Sequence, residues 1–226
     1  MITDEILEHA KAEYPKECCG LVVVFKGREK YISCRNLATD QNMEFMIHPE
    51  DYVKAEDIGE IVKIVHSHPK TNANPSELDL VGIEESKLPW VIVNPLTGQV
   101  TETAPSGYKA PLIGRQYGYG IQDCYTLIKD YYDRELNIKL RDYPRSGTQE
   151  DDLQIYLKEF ENEGFVKVDT LEPHDMIVLS SGHGAIYLGN NIILHHVAGR
   201  LSSRDVYGGY WMKNTRGYYR HLDLIK

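Results

Sequence analysis

The chain has 226 residues, 42% of them hydrophobic, and a formal net charge of −9. At ~100–150 residues per domain, that length suits two small domains better than one. The acidic balance excludes the basic footprint on which nucleic-acid binding rests, and no apolar run approaches the ~20 residues of a membrane span. The opening residues MITDEILEHA lack a basic n-region and an apolar h-region, so no cleaved signal peptide is expected. The four cysteines, Cys18, Cys19, Cys34 and Cys124, match no CxxC metal pattern and read as reduced thiols.

Ile6, Leu7, Ala10 and Tyr14 share one face at helical spacing, which predicts a helix over residues 3–14, stopped by Pro15. Leu21–Phe25 reads as a short buried strand, with a turn at Lys26-Gly27-Arg28 into a second strand near Lys30–Arg35. Pro49 opens a helix to about Ile58, with Glu50 and Asp51 suited to its first turn. Ile61–His66 reads as a strand, Pro75-Ser76 as the start of another helix, and Pro89–Val93 as the strand leaving it. ETAPSGYKAPLIG, residues 102–114, has prolines and glycines without apolar periodicity and is taken as the joint between domains. Beyond it, Asp123–Leu136 and Glu150–Glu163 have helical patterns, and Asp175–Ser180, Gly184–Leu188 and Ile192–Val197 read as strands. These elements predict an α+β chain of two domains.

The first constellation is His66-Ser67-His68 with Ser76 and Asp79, H-x-H-x7-S-x2-D, and Glu17 upstream in KECCGL. Alternate residues of a strand share a face, so His66 and His68 can aim two imidazoles at one point. Asp79, in the first turn of the next helix, is placed to add a third ligand. Catalytic zinc takes three N/O ligands and keeps a position for water. Glu17 is a candidate general base and Ser76 a candidate oxyanion donor. Taken alone, Ser76-x-x-Asp79 is equally a helix-capping pattern.

The second constellation is Cys124, following Asp123 at a helix start, where backbone N–H groups favour a thiolate. Its bland reading is an inert thiol on the apolar face of that helix. SGHGAIYLGNNIILHH reads as a β-hairpin carrying His183 and His195. His183 is then the base for Cys124 and His195 its orienter. A two-residue turn at Asn190-Asn191 sets His195 opposite Ile186, on the wrong face. A three-residue turn at Gly189–Asn191 pairs Leu188 with Ile192 and sets His195 opposite Ala185, diagonal to His183. Catalysis needs the second register. His196 then faces away and reads as structural, and His9, His48, His174 and His221 read as solvated or packed.

With Glu17, His66, His68, Ser76 and Asp79 in place, residues 1–104 resemble the JAMM (MPN+) metallopeptidases. The resemblance implies a mixed sheet flanked by helices, Zn2+ on His66, His68 and Asp79, water activation by Glu17 and oxyanion support from Ser76. The Asp123-Cys124 dipeptide, H-x-A-I-Y-L-G from His183, and His195 twelve positions later make residues 115–226 similar to the NlpC/P60 family of papain-like peptidases. That resemblance implies a papain-like α+β domain, a Cys124-His183-His195 site, an active-site tyrosine at Tyr117, and peptidoglycan stem peptides as substrate. Tyr125-Thr126 departs from the Ser-Gly many members have after the cysteine. Residues 105–114 form the linker. The two domains in this order resemble tail tip assembly proteins of long-tailed bacteriophages, of the lambda type. The implied partners are tail tip proteins, and the implied location is the host cytoplasm during assembly and the virion tail tip. Rival readings are a deconjugating peptidase for a ubiquitin-like protein and an assembly scaffold whose sites are idle.

Overall fold

The run CGLVVVF, apolar over most of its length, becomes β1 (Cys19–Phe25) and lies inside a sheet between β2 (Arg28–Cys34) and β3 (Glu60–Ser67). The computed structural model describes residues 1–143, 154 and 157–225 and divides the chain into two units, Met1–Lys109 and Ala110–Lys226.

In the first unit five strands run in the order β2-β1-β3-β4-β5, with β4 at Trp90–Val93 and β5 at Val100–Thr103. Only β3 and β4 pair in parallel, and parallel neighbours need a crossover. Helix α3 (Glu77–Ser86) supplies it. β1 is buried on both faces. Cys18 and Val22 meet Ile6 and Ala10 of α1 (Ile2–Glu13), whereas Cys19, Leu21 and Val23 meet Ala55 of α2 (Pro49–Ile58) and Ile83 of α3. Period-two alternation sorts one apolar run into two cores. α3 lies so close to the sheet that a Cβ on Gly82 would sit 2.4 Å from the Trp90 ring.

The second unit is a six-stranded antiparallel sheet in the order β10-β9-β8-β7-β11-β6. The strands are β6 Phe165–Val168, β7 Met176–Leu179, β8 Gly184–Gly189, β9 Ile192–His195, β10 Ser203–Val206 and β11 Thr215–His221. Leu127, Ile128, Tyr131 and Tyr132 of α4 (Cys124–Leu136) cover the face formed by Met176, Val178, Ile186 and Leu194. Ile177, Leu179, Ala185 and Ile193 point the other way, under Tyr207 and Trp211.

Several expectations need correction. Glu102 and Thr103 belong to β5 rather than to a joint, because β4 offers them a free edge. The segment that follows is tied down on both sides. Glu84 accepts the N–H groups of Ser106 and Tyr108, and buried Arg115 donates to the carbonyls of Ala110 and Pro111. The β8–β9 turn follows neither register as drawn. Asn190 and Asn191, at φ 52° and 58°, make a two-residue turn that pairs Gly189 with Ile192. The pairing then shifts at Leu188, so that Tyr187 faces Ile193 and His195 faces Ala185. A bulge, not a longer turn, gives the register that catalysis needs. The helix expected over Glu150–Glu163 lies partly outside the described residues; of those described, 154 and 157–159 are helical and 160–164 form a turn.

Candidate active sites

β3 ends at the first site. His66 sits on the face of β3 that looks toward α3, its ring stacked on Phe45 (4.4 Å, 16°) and edge-on to Trp90 (5.5 Å). Its packing fixes the imidazole plane. Ser67, pointing the other way, is fully buried. Its hydroxyl accepts the N–H of Cys18 at 2.8 Å, tying the end of β3 to the start of β1. That tie keeps Glu17 at the same end of the sheet as His66. Asn94, at the end of β4, donates to the carbonyls of His68 and Thr71 and so holds the turn after the strand.

The ligating atoms converge. His66 Nε2 and His68 Nε2 are 3.0 Å apart, and each lies 3.2 Å from a different oxygen of Asp79. His68 Nδ1 lies 3.0 Å from the Asn72 carbonyl, an acceptor, so it carries the proton and Nε2 presents a lone pair. Two imidazole nitrogens and a carboxylate thus face one point with at most one proton among them. A cation there satisfies all three. His66, His68 and Asp79 form a group whose ligand atoms lie within 4.8 Å of one another, and a borderline-soft divalent ion suits two imidazoles and one carboxylate. Burial pulls the His66 imidazole below its ordinary pKa. Burial opposes protonation of His68 as well, but Asp79 outweighs it and raises the value. Burial also opposes ionisation of Asp79, and the two histidines overcome it, holding the carboxyl well below the usual range.

Glu17 is buried, its N–H donating to Gln41 and its carbonyl accepting from Asn36 Nδ2. Burial pushes its carboxyl up to about 8, against the pull of His68. Ser76 is the N-cap of α3. Its Oγ accepts the N–H of Asp79 at 3.1 Å, and its own N–H donates to Asp79 Oδ2 at 2.6 Å. The capping role is therefore realised. It uses a lone pair of the hydroxyl and leaves the O–H free to donate, so the two roles do not compete.

At the second site Cys124 opens α4. Asp123 caps the helix by accepting the N–H groups of Tyr125 and Thr126, each at 3.0 Å, and also that of Gly120. Fewer N–H groups are left for a thiolate than a bare helix end would offer, which puts more of the work on His183. Cys124 and His183 line one small pocket with Ile128, Val178 and Gly184. A Cβ on Gly184 would fall 2.7 Å from Ile128 Cδ1, so this glycine lets α4 approach the start of β8. His183 Nε2 lies 3.1 Å from His195 Nδ1. The Trp211 ring packs edge-on to His195 at 4.5 Å. Burial, with His195 and His196 nearby, pushes the His183 imidazole down to about 3, so it is neutral near pH 7.

Tyr117 is not part of that pocket lining. The turn Gly118–Gln122, closed by two backbone hydrogen bonds, lies between it and Cys124 in the chain, and the Tyr117 ring packs edge-on to buried His196 at 5.1 Å. The remaining histidines are packed into hydrogen bonds. His9 meets the Tyr31 hydroxyl, His174 meets that of Tyr131, and His48 and His221 accept backbone N–H groups. Cys18, Cys19 and Cys34 are buried free thiols, all raised by desolvation, Cys18 and Cys34 to about 11.

Residues 2–104 match the model of the prokaryotic homologs of the JAB domain, and residues 114–220 match the NlpC/P60 family. Tail tip assembly protein K of Escherichia phage N15 is 35% identical, over 98% of this chain and 94% of that protein. This chain belongs to the tail tip assembly protein K family. The corresponding protein of Escherichia phage lambda is 35% identical over 76% of the chain and 88% of its own length. A solution structure of protein DSY2949 from Desulfitobacterium hafniense covers 45% of this chain and 76% of that one, at 24% identity and a TM-score of 0.37, too slight a likeness to carry an argument.

In this family member the motif residues do not act alone. Ser67 and Asn94 hold the strand end and turn that carry His66 and His68, and Asn36 holds the backbone of Glu17. The sequence signal for Ser67 is its place between two histidines on the opposite strand face. Asn94 and Asn36 have no comparable signal, because their partners are carbonyls distant in sequence.

Proposed function

We propose that this chain is a tail tip component with two peptidase sites, the thiol site acting on peptide stems of peptidoglycan. The observation that carries the reading is that Cys124 and His183 line one small pocket, with His195 Nδ1 in contact with His183 Nε2, which leaves His183 Nδ1 for the thiol. His183 Nδ1 takes the Sγ proton, and the sulfur attacks the scissile carbonyl carbon. The imidazolium then returns that proton to the leaving amine as the C–N bond breaks, and water hydrolyses the thioester. The pocket walls are mainly apolar, which keeps bulk water from the thiolate.

At the first site His66, His68 and Asp79 would hold Zn2+, which when bound polarises a carbonyl and acidifies water. Glu17, a buried carboxyl beside His68, would in its ionised form accept a proton from the attacking water and deliver it to the leaving nitrogen. The Ser76 O–H donates to the developing oxyanion. The substrate of this site is a peptide bond, and a tail protein trimmed during assembly fits a component made alongside its partners. The tail tip proteins are its binding partners, and the assembled tail tip is its place of action.

Digestion of purified muropeptides, with products identified by mass, tests the thiol site. Wild type and Glu17→Ala should cleave, and Cys124→Ala should not. A complementation assay tests the assembly role, and Cys124→Ala should still form complete tails. A wild type that complements but cleaves no muropeptide would leave a scaffold and overturn the peptidase reading.

A further inference from the structure

The contacts beyond His183 do not stop at His195. His195 Nε2 lies 3.1 Å from Asp205 Oδ2. The contact is poorly aligned for a hydrogen bond, so its charge matters more than its direction. Asp205 is on β10 opposite Ile193, hence a diagonal neighbour of His195 on the same sheet face. Arg200 grips its carboxylate with both arms, Nη1 to Oδ2 and Nη2 to Oδ1, each at 3.1 Å. Nη2 of Arg200 also donates to Ser203 Oγ, so the guanidinium is itself anchored.

We propose that Asp205, gripped by Arg200, is a positioning residue of the thiol site that fixes the proton of His195 on Nε2. This rests on the reading of Cys124 as nucleophile and His183 as base. With that proton on Nε2, His195 Nδ1 presents a lone pair and accepts the N–H of His183 Nε2. His183 Nδ1 is then unprotonated and available to the thiol. The other tautomer of His195 would set its Nε2 lone pair against a carboxylate 3.1 Å away. It would also drive the His183 proton onto Nδ1, where it blocks the base. The carboxylate therefore selects the productive arrangement. When His183 takes the Sγ proton, the buried imidazolium faces a His195 dipole whose far end rests on Asp205. The charged or titratable groups around the pair are Arg200 and Asp205 beside His195, and His196 near His183. Arg200, ahead of the His195 contact, keeps Asp205 ionised.

The test is alkylation of Cys124 in the full chain by iodoacetamide between about pH 5 and 9, followed by peptide mapping. Wild type, His183→Ala, Asp205→Ala and Asp205→Asn are compared. Asp205→Ala should slow alkylation near neutral pH by about ten- to a hundredfold, the scale on which orienting partners of histidine act, and move the profile to higher pH. Asp205→Asn should fall between, since its amide oxygen keeps a partial negative charge beside Nε2 but not the full charge of the carboxylate. If His183→Ala is slow but both Asp205 variants follow the wild-type profile, the positioning role is overturned and the base assignment stands. If His183→Ala also follows wild type, the base assignment fails and takes Asp205 with it. Should circular dichroism show Asp205→Ala unfolded, Asp205→Asn decides alone, and a wild-type profile there overturns the proposal.

Discussion

Both candidate sites contain two histidines in contact and one aspartate, yet the geometries differ in kind. In the first, His66 Nε2, His68 Nε2 and the Asp79 carboxylate converge, with separations of 3.0 to 3.2 Å. In the second, the contacts run in a line from His183 Nε2 to His195 Nδ1, and from His195 Nε2 to Asp205. Convergent acceptors repel one another until a cation sits among them. Along a line, each imidazole can keep its own proton, and a carboxylate at the far end needs no cation among the ring nitrogens. The difference comes from the backbone. The convergent set joins a strand end to a helix start across a parallel crossover, whereas the linear set lies across adjacent antiparallel strands.

The largest effect that would break this comparison is at the nucleophile. Cys124→Ala should reduce muropeptide cleavage by about 10⁴-fold or more, the scale of losing one member of a catalytic unit, with zinc content unchanged. Loss of zinc in that variant would mean the sites are not independent. Next are the residues that hold the convergent set. Asn94→Ala and Ser67→Ala should each weaken zinc affinity by about 10–100-fold, measured by competition with a chelator. Wild-type affinity in both would mean that strand geometry alone sets the site.

The linear set has a pH signature. His183 and His196 are held down to about 3 and 4 in the fold, with burial the main cause, against an ordinary value of 6.5. Between those values the unfolded chain binds protons that the folded chain refuses. Stability from keeping these imidazoles neutral is thus fully present above about pH 6.5 and lost as pH falls through about 4 for His196 and about 3 for His183. Calorimetry of the full chain should show the transition of the second unit falling over that window. His196→Leu should make the fall shallower, and an unchanged slope would contradict the assignment. The smallest effect separates the two roles of Ser76. Ser76→Ala should cost about 1 kcal/mol from the lost cap, measured by denaturant unfolding, whereas Ser76→Asn should restore stability without restoring metallopeptidase activity. Full activity in Ser76→Asn would leave Ser76 as a cap alone.

Much of the fold was legible where apolar residues alternate or repeat. Cys19–Phe25, Pro49–Ile58 and Cys124–Leu136 fall close to their predicted places. The strands that escaped, β5, β6, β10 and β11, have half-exposed patterns such as VTET, SRDV and TRGYYRH that gain strand identity only from their neighbours. His66, His68 and Asp79 were legible because their spacing carries strand and helix geometry. The His183–His195 contact was legible only as a choice of registers, since the bulge at Leu188 has no signature of its own beside an Asn-Asn turn. Asp205 was not legible, because its partner lies on another strand and its neighbours are polar throughout.

The comparison is tested most directly by the zinc content of protein purified without chelator, for wild type, His68→Ala and His195→Ala. A convergent site that holds metal and a linear one that does not predict about one equivalent in wild type, near none in His68→Ala and about one in His195→Ala. Full zinc in His68→Ala, or its loss in His195→Ala, would contradict the account.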